Sequence, residues 1–315
     1  MTALAPVRIT FRLHRFEALA FIALAVLGVG LAFVVGARLD GLRFDPSCYD
    51  TTGLVPPSRA CEAAMNQFYM MVDGEAGKVT LITTMVPFLA GLLLGVPIVG
   101  REIERGTTRL AWALSPSRQS WFLQRLVPIL LLVAGGSYLL GVGADRLLAS
   151  SMPEIEPANA FVQFGFRGVV LAARGVFVFA LAVLVGAALG RVLPAVILGG
   201  LLAVLGIMGG SQVHQQILRA EAIEMAEPGP GDMWVDQLFR LPDGRLIGWN
   251  EVEQYDPPPA DADFTGEWPT LPIVTFGVPG ERYREVELRE VGALAGGTLV
   301  ALAAAAVIVQ RRRPG

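Results

Sequence analysis

The chain has 315 residues, of which 53% are hydrophobic and 17% are charged, and its mean hydropathy is +0.54. A soluble domain carries about 25% charged residues, so this composition excludes a water-soluble globular protein and indicates one that turns its apolar surface to lipid. The net charge is −3 and the chain has no block of basic residues, so we expect membrane lipid and no nucleic acid as a partner.

Residues 1–17 are predicted to form a cytoplasmic amphipathic helix at the membrane surface. Three arginines fall on one helical face and three apolar residues on another: Arg8, Arg12, Arg15 and Ile9, Leu13, Phe16. The apolar residues at 7, 9, 11 and 13 also alternate, so a short strand is the alternative. Ala18–Ala37 has no charge and is the first predicted span, with a signal peptide cleaved near Ala37 as the alternative.

The loop 38–78 is polar and contains the only two cysteines of the chain, Cys48 and Cys61. Their spacing suits a disulfide, which would stabilise the fold by about 3 kcal/mol. Disulfides persist outside the cytoplasm, so this loop is predicted to be external. Two unrelated free thiols are the alternative.

Five further spans follow, each of about 20 apolar residues: Val79–Gly100, Phe122–Gly141, Phe164–Leu189, Val192–Gly210 and Val291–Val309. Ser115 and Pro116 are predicted to start the third span as helix cap and first turn. Residues 18–210 thus hold helices 1–5, residues 211–290 form a large external insertion, and residues 291–315 hold helix 6 with a basic tail. The fold class is an all-α polytopic membrane protein with six transmembrane helices.

The charge distribution predicts the orientation, because cytoplasmic loops are enriched in Lys and Arg. With both termini inside, the inside segments carry eleven arginines and three acids, and the other 25 of the 28 acids lie outside. The same orientation puts Cys48 and Cys61 outside. We therefore expect a multi-pass protein of a bacterial plasma membrane with both termini cytoplasmic.

The segment 101–121 reads REIERGTTRLAWALSPSRQSW and has five arginines or glutamates in its first nine residues. A solvated loop that obeys the positive-inside rule is the simplest interpretation. However, apolar and charged residues line separate helical faces, which favours a cytoplasmic helix. Gly106 either allows close backbone approach or bends this helix.

The sequence REIERGTTRLAWALSPSRQSWFLQRL resembles the corresponding loop of ABC export permeases of the type-2 class, in their actinobacterial form. The matching residues are Arg101, Glu102, Glu104, Gly106, Thr107, Arg109, Leu110, Ala111, Trp112, Ser115, Arg118 and Trp121. A weaker resemblance covers residues 166–170 and 190–195, and the six-span layout matches along nearly the whole chain. The chain departs from the pattern near Leu171, where proline is expected, and at Arg174, where an aromatic or small residue is expected.

The resemblance implies that 101–121 is a coupling helix that docks on a separate ATPase subunit. The residues expected to couple are Arg101, Glu102, Glu104, Arg105, Gly106, Thr107, Arg109, Trp112 and Arg118. Glu102 and Glu104 are expected to accept hydrogen bonds from arginines of the motor. Two ATPase subunits would supply ATP and Mg, and a second copy or a homologous permease would complete the path for a hydrophobic or amphipathic substrate.

Two arginines fall in the predicted fourth span, where a charge usually faces a cavity or a partner. Arg167 is expected to reach the outer headgroups, whereas Arg174 is a candidate for lining the substrate path or pairing with an acid. In the insertion, Trp234, Trp249 and Trp268 are expected to form a small core, with a substrate wall or an interface belt as alternatives.

The chain contains neither a metal-binding motif nor the glycine-rich loop G-x-x-x-x-G-K-[ST] that binds ATP. Its predicted spans carry no His, Asp or Glu, which argues against an intramembrane enzyme. We therefore expect a permease subunit without its own nucleotide site. The alternative is a non-transporting membrane anchor or sensor with an external ligand-binding module.

Overall fold

A computed structural model describes residues 10–45, 48, 58–257 and 269–312. The predictions for Arg8, Ile9 and Trp268, and the end of the basic tail from residue 313, lie outside the described residues. The chain divides into two compact units, which we describe separately. The first comprises residues 1–154, 163–208 and 287–315, and the second comprises residues 155–162 and 209–286.

The first unit is built from helices. They are α1 (Arg15–Gly41), α2 (Arg59–Met71), α3 (Gly77–Gly95), α4 (Pro97–Glu104), α5 (Thr108–Ala113), α6 (Arg118–Ser151) and α7 (Gly168–Leu189). Helices α8 (Val192–Glu221) and α10 (Tyr283–Arg311) have residues in both units. Six helical stretches of the described chain are long and apolar enough to cross a membrane. The prediction of an all-α polytopic membrane protein with six spans is therefore confirmed.

The described part of the N-terminal segment is helical, not a strand. Residues 10–13 form a helical turn and α1 begins at Arg15. Thr10 is buried and its Oγ1 donates to the Gln124 carbonyl at 3.3 Å. Pro128 of α6 has no N–H for that carbonyl, so Thr10 supplies the hydrogen bond that the proline removes.

The helices extend beyond the predicted spans. Helix α2 begins at Arg59, where the Ser58 side chain accepts a hydrogen bond from the Cys61 N–H, and a π-helical turn, Val72–Ala76, joins α2 to α3. Half of the predicted loop 38–78 is therefore helical. Hydropathy identifies only the apolar part of a helix, and a helix that continues beyond the bilayer can be polar.

The core of the first unit forms where α1, α3, α6 and α7 meet. Its largest members with under 2% exposure include Phe122, Ile129, Leu140 and Phe179. Helices α3 and α7 approach each other closely at Gly91. A methyl group added there would lie only 2.6 Å from the Gly175 carbonyl oxygen. Small residues commonly allow such contacts between membrane helices.

The second unit contains a four-stranded antiparallel sheet in the order β1-β4-β2-β3. Its strands are β1 (Ile223–Met225), β2 (Met233–Arg240), β3 (Leu246–Ile247) and β4 (Ile273–Val278), and helix α9 (Trp249–Tyr255) lies between β3 and β4 in sequence. The unit includes most of the predicted insertion 211–290. Its fold adds a small sheet to the helical class.

The small core of the second unit is aliphatic and aromatic, and Phe239 and Val252 are fully buried within it. Trp249 packs edge-to-face on Phe239, with ring centroids 4.6 Å apart. Trp249 itself is 51% exposed and Trp234 is 58% exposed. The prediction that these tryptophans form the core is therefore wrong for Trp234. Trp249 contacts the core through Phe239, but half of its surface is exposed.

Candidate functional site

The segment 101–121 is not the single helix that its periodicity predicts. Helix α4 ends at Glu104, a turn follows, and α5 covers only Thr108–Ala113 before α6 begins at Arg118. Gly106 lies in the turn with a φ of 67°, in the left-handed region that favours glycine. In the part of the chain that the structure describes, no atom beyond the two adjoining residues lies within 4 Å of a methyl group placed there, so Gly106 serves the turn and not a close approach.

The start of α6 also differs from the prediction. The Ser117 side chain accepts a hydrogen bond from the Ser120 N–H at 3.0 Å and is the N-cap. Ser115, the predicted cap, instead donates back to the Ala111 carbonyl at the end of α5. The N-cap of α6 is therefore two residues later than predicted, and Ser115 bonds to α5 instead.

Glu102 is paired within the chain. One of its oxygens lies 2.7 Å from the Arg125 guanidinium of α6, and the other accepts a hydrogen bond from the Thr107 hydroxyl. Both members of the ion pair are mostly buried. Glu102 therefore holds the turn against α6, and its expected role as an acceptor for arginines of a motor stays a prediction.

Glu104 is also engaged within the chain. Its Oε2 accepts a 3.1 Å hydrogen bond from the backbone N–H of Val192, the first residue of α8. A carboxylate at a helix N-terminus is stabilised by the unpaired N–H groups and the helix dipole. Glu104 therefore connects the end of α4 to the start of α8.

Arg101 joins α4 to the N-terminal segment. Its guanidinium forms an ion pair with Glu17 and donates to the Leu13 carbonyl at 3.4 Å. His14 is buried beside this pair, and its Nδ1 has no hydrogen-bond partner within the described part of the chain. Burial, and then the nearby Arg101 cation, lowers the pKa of His14 to about 4.

Four side chains stack at the junction of α5 and α6. The rings of Trp112 and Trp121 meet edge-to-face with centroids 6.2 Å apart. The Arg118 guanidinium lies 4.4 Å from the Trp112 ring centroid, and that of Arg125 lies 4.8 Å from the Trp121 centroid. Since Arg125 also pairs with Glu102, the stack links α5, the turn and α6.

Arg118 and Arg312 hold the ends of two other helices. Arg118 Nη1 donates to the carbonyls of Gln310 at 2.9 Å and Arg312 at 2.8 Å. Arg312 Nη1 in turn donates to the carbonyls of Ala187 at 2.6 Å and Ala188 at 3.2 Å. Cations at a helix C-terminus satisfy unpaired carbonyls and favour the dipole.

The remaining surface of the segment is exposed. Arg105, Gly106 and Thr107 are exposed in the turn, and Leu110 and Leu114 are exposed by 64% and 79%. The structure does not describe the side chain of Arg109. We call Arg105, Leu110 and Leu114 the exposed face of the segment.

The two arginines of the fourth span are both paired. Arg167 precedes α7, is 2% exposed and lies 2.8 Å from Asp145 of α6, so the expectation that it reaches the headgroups is wrong. Arg174 is buried in α7, and its Nε and Nη2 lie 2.9 and 2.5 Å from Glu290 Oε1 of α10. Arg174 is thus the candidate that pairs with an acid.

Gly165 makes room for the Arg174 side chain. Its φ is 85°, and a methyl group added at Gly165 would fall on the Arg174 guanidinium. The Phe166 ring centroid lies 5.5 Å from the same guanidinium. The residues that precede α7 therefore pack against the same guanidinium that Glu290 pairs with.

Cys48 and Cys61 form a disulfide, with Cα atoms 5.4 Å apart. Within the described ranges, no group of three His, Cys, Asp or Glu side chains is arranged to hold a metal ion. Sequence reasoning missed Glu17, Arg125 and Glu290, the partners of the residues it singled out. Each of the three is a charged residue at the edge of an apolar run, and this position is the signal that could have identified it.

A family model described as ABC-2 membrane transporter related matches residues 18–214, well over half of the chain. The match contains the whole of the segment 101–121 and its partners Arg125 and Val192. No curated protein and no solved structure matches the chain.

Proposed function

The chain belongs to the ABC-2 membrane transporter related family, and from that premise we propose that it is the permease subunit of an ATP-driven exporter. Such a subunit forms the path through the membrane, and separate ATPase subunits bind ATP and Mg and hydrolyse the nucleotide. We propose two ATPase subunits, paired with two copies of this chain or with this chain and a homologous permease. The cargo is hydrophobic or amphipathic.

One observation supports this proposal most strongly: residues of the segment 101–121 form ion pairs or hydrogen bonds with the ends of four helices, which are α1, α6, α8 and α10. Arg101 pairs with Glu17 of α1, Glu102 with Arg125 of α6, Glu104 with the first residue of α8, and Arg118 with the last turn of α10. Arg312 extends the connection to the end of α7. A displacement of this segment would therefore move the ends of the spans together.

The paired charges fix the segment to the helices, and the exposed face is the surface that remains for a motor. Two exposed leucines beside an arginine match a partner surface with an apolar pocket and an acidic rim. Leu114, at 79% exposure, is the more exposed of the two leucines. We propose that the ATPase subunit receives Leu110 and Leu114 in such a pocket and pairs an acid with Arg105.

The orientation is part of the same proposal. The arginines of the segments 1–17, 101–121 and 310–315 support a cytoplasmic location for both termini. The Cys48–Cys61 disulfide supports an external location for the opposite ends of the helices. A bacterial plasma membrane would then present the segment 101–121 to the cytoplasm, where ATP is available.

Co-purification tests the proposal. The chain is expressed together with a candidate ABC ATPase subunit, and the complex is purified in a neutral detergent. We expect the permease to raise the ATPase rate, and the double variant Leu110→Glu and Leu114→Glu to lose most of the bound ATPase. Leu246→Glu, an exposed leucine of the second unit, is the matched control and should retain it.

Thermal unfolding of the purified permease alone shows whether the double variant is folded. A folded double variant that still binds the ATPase, with an unchanged rate of hydrolysis, would contradict the proposed docking surface. A chain that neither binds any ATPase nor stimulates hydrolysis would contradict the proposed function itself.

A further inference from the structure

A narrow contact between α7 and α10 combines one ion pair and one aromatic ring. Arg174 and Phe177 lie one turn apart on α7, and Glu290 and Gly297 lie two turns apart on α10. Arg174 pairs with Glu290, and the Phe177 ring faces Gly297, where an added methyl group would lie 2.9 Å from Cε2. We call these four residues the α7–α10 seam.

The same ring also faces α8. A methyl group added at Gly206 would lie 3.4 Å from Phe177 Cε1, the opposite edge of the ring from Gly297. The phenyl ring thus fills the space that two glycines leave on neighbouring helices. The neighbours of such a methyl group at Gly206 are all apolar, since Leu181 Cδ1 also lies 4.0 Å from it.

The helices on either side of Phe177 are the least buried of the six spans. Only 17% of the apolar window of α8 and of α10 is buried, against 67% for α7. Among the described residues, and apart from its chain neighbours and the backbone of α10 itself, no atom lies within 4 Å of a methyl group added at Gly292 or Gly296. Ala305 and Val309, nearer the end of α10, belong to the main core, so an opening at the seam would be local to the part of α10 before them.

The ion pair sets a condition on that opening. The side chains of Arg174 and Glu290 are 8% and 11% exposed. Leaving one member of such a pair without a counter-charge costs about 3–5 kcal/mol, and more in the low dielectric of a bilayer. The seam therefore opens at low cost only when another anion takes the place of Glu290 on Arg174.

We infer that the seam is a binding site for an anionic amphiphile. The anionic headgroup pairs with Arg174 in place of Glu290, and the hydrocarbon chain lies between α8 and α10 in the space that Phe177 fills. This inference rests on the proposed function and names the substrate class of the exporter. Among hydrophobic and amphipathic cargoes, it selects those with a negative headgroup.

Lipid binding to the purified chain tests the inference. The protein is purified in a neutral detergent, and native mass spectrometry measures binding of phosphatidylglycerol and of phosphatidylcholine with the same acyl chains. We expect at least tenfold tighter binding of phosphatidylglycerol. Glu290→Gln should strengthen that binding several-fold because it removes the competing carboxylate, and Phe177→Ala should strengthen it as well.

The effect of removing the Arg174 cation on lipid binding is measured in a variant that also removes the buried carboxylate of Glu290. Arg174→Gln alone leaves Glu290 buried without its cation, so the double variant Arg174→Gln and Glu290→Gln is compared with it. We expect the double variant to bind both lipids equally. Glu224→Gln makes the same chemical change in the exposed pair with Arg240, whose side chains are 43% and 50% exposed, and should not alter binding.

Several results would overturn the inference. Equal binding of the two lipids to the unaltered chain would show a non-selective lipid surface, and competition by inorganic phosphate alone would show an anion site without a chain site. A folded double variant that keeps the preference would place the site elsewhere. ATPase binding is measured on the same samples, so its persistence would leave the proposed function intact.

Discussion

Arg118 Nη1 donates a 2.9 Å hydrogen bond to the backbone carbonyl of Gln310, which lies 192 residues later in the chain. The same guanidinium lies over the Trp112 ring of α5. The arginine therefore joins a short surface helix to the last turn of α10. This contact explains how a force applied at α5 would reach a span that is remote in sequence.

Replacing Arg118 tests that connection. We expect Arg118→Lys to lower permease-stimulated ATP hydrolysis several-fold while the ATPase stays bound, because lysine keeps the charge but cannot hold two carbonyls and a ring in the same way. The loss of stability should be about 1–3 kcal/mol, measured by thermal unfolding. Arg12→Lys, at an exposed position, should leave the rate unchanged.

His14 predicts a pH dependence of stability. Its pKa is lowered from 6.5 to about 4 by burial and by the Arg101 cation. As the pH falls below 6.5, the unfolded chain binds a proton that the folded chain does not, so stability is lost between pH 6.5 and about 4. The full loss is about 3 kcal/mol.

The measurement is the thermal unfolding midpoint at several pH values for the natural chain and for His14→Leu. The difference between the two isolates the histidine from the carboxylates, including nearby Glu17 and Glu102, that titrate in the same range. We expect the variant to lose less stability on acidification. Parallel pH profiles would show that His14 is not buried in its neutral form.

Two glycines with positive φ should differ in their tolerance of alanine. Gly106→Ala adds only the cost of a left-handed residue, about 1–2 kcal/mol, because its surroundings are open. Gly165→Ala adds the same cost and a collision with the Arg174 guanidinium. Thermal unfolding should therefore show a larger loss for Gly165→Ala, and an equal loss would contradict the described packing of Arg174.

Cysteine labelling in intact cells tests the proposed orientation. After mild reduction, a membrane-impermeant maleimide should label Cys48 and Cys61 from outside. In a chain with both of these replaced by serine, the single cysteine of Trp112→Cys should react only after the membrane is permeabilised. Reaction of position 112 from outside would reverse the proposed topology.

Hydropathy alone predicted the six spans, because an apolar run of sufficient length has few alternatives in this composition. It did not predict their ends. Helix α2 is amphipathic, with apolar residues such as Phe68 buried and polar ones exposed, so it falls below any threshold based on mean hydropathy. The fold class was thus available from sequence, but the lengths of the helices were not.

The candidate site was found by its resemblance to a family, but its internal arrangement was not predictable. The same residues are compatible with a turn at Gly106 or with a regular helix through it. The structure has the turn, and Glu102 at its start pairs with Arg125 of α6. The partners of Arg101 and Arg174 lie 84 and 116 residues away. A single sequence contains no information on such pairings.

Site-specific crosslinking from Leu114 tests the central claim most directly. A photoreactive amino acid is placed at position 114, or at position 246 as the control, and the complex with the ATPase is irradiated in membranes. We predict an adduct between the ATPase subunit and position 114, and none with position 246. An ATPase that remains bound but forms no adduct with position 114 would contradict the account.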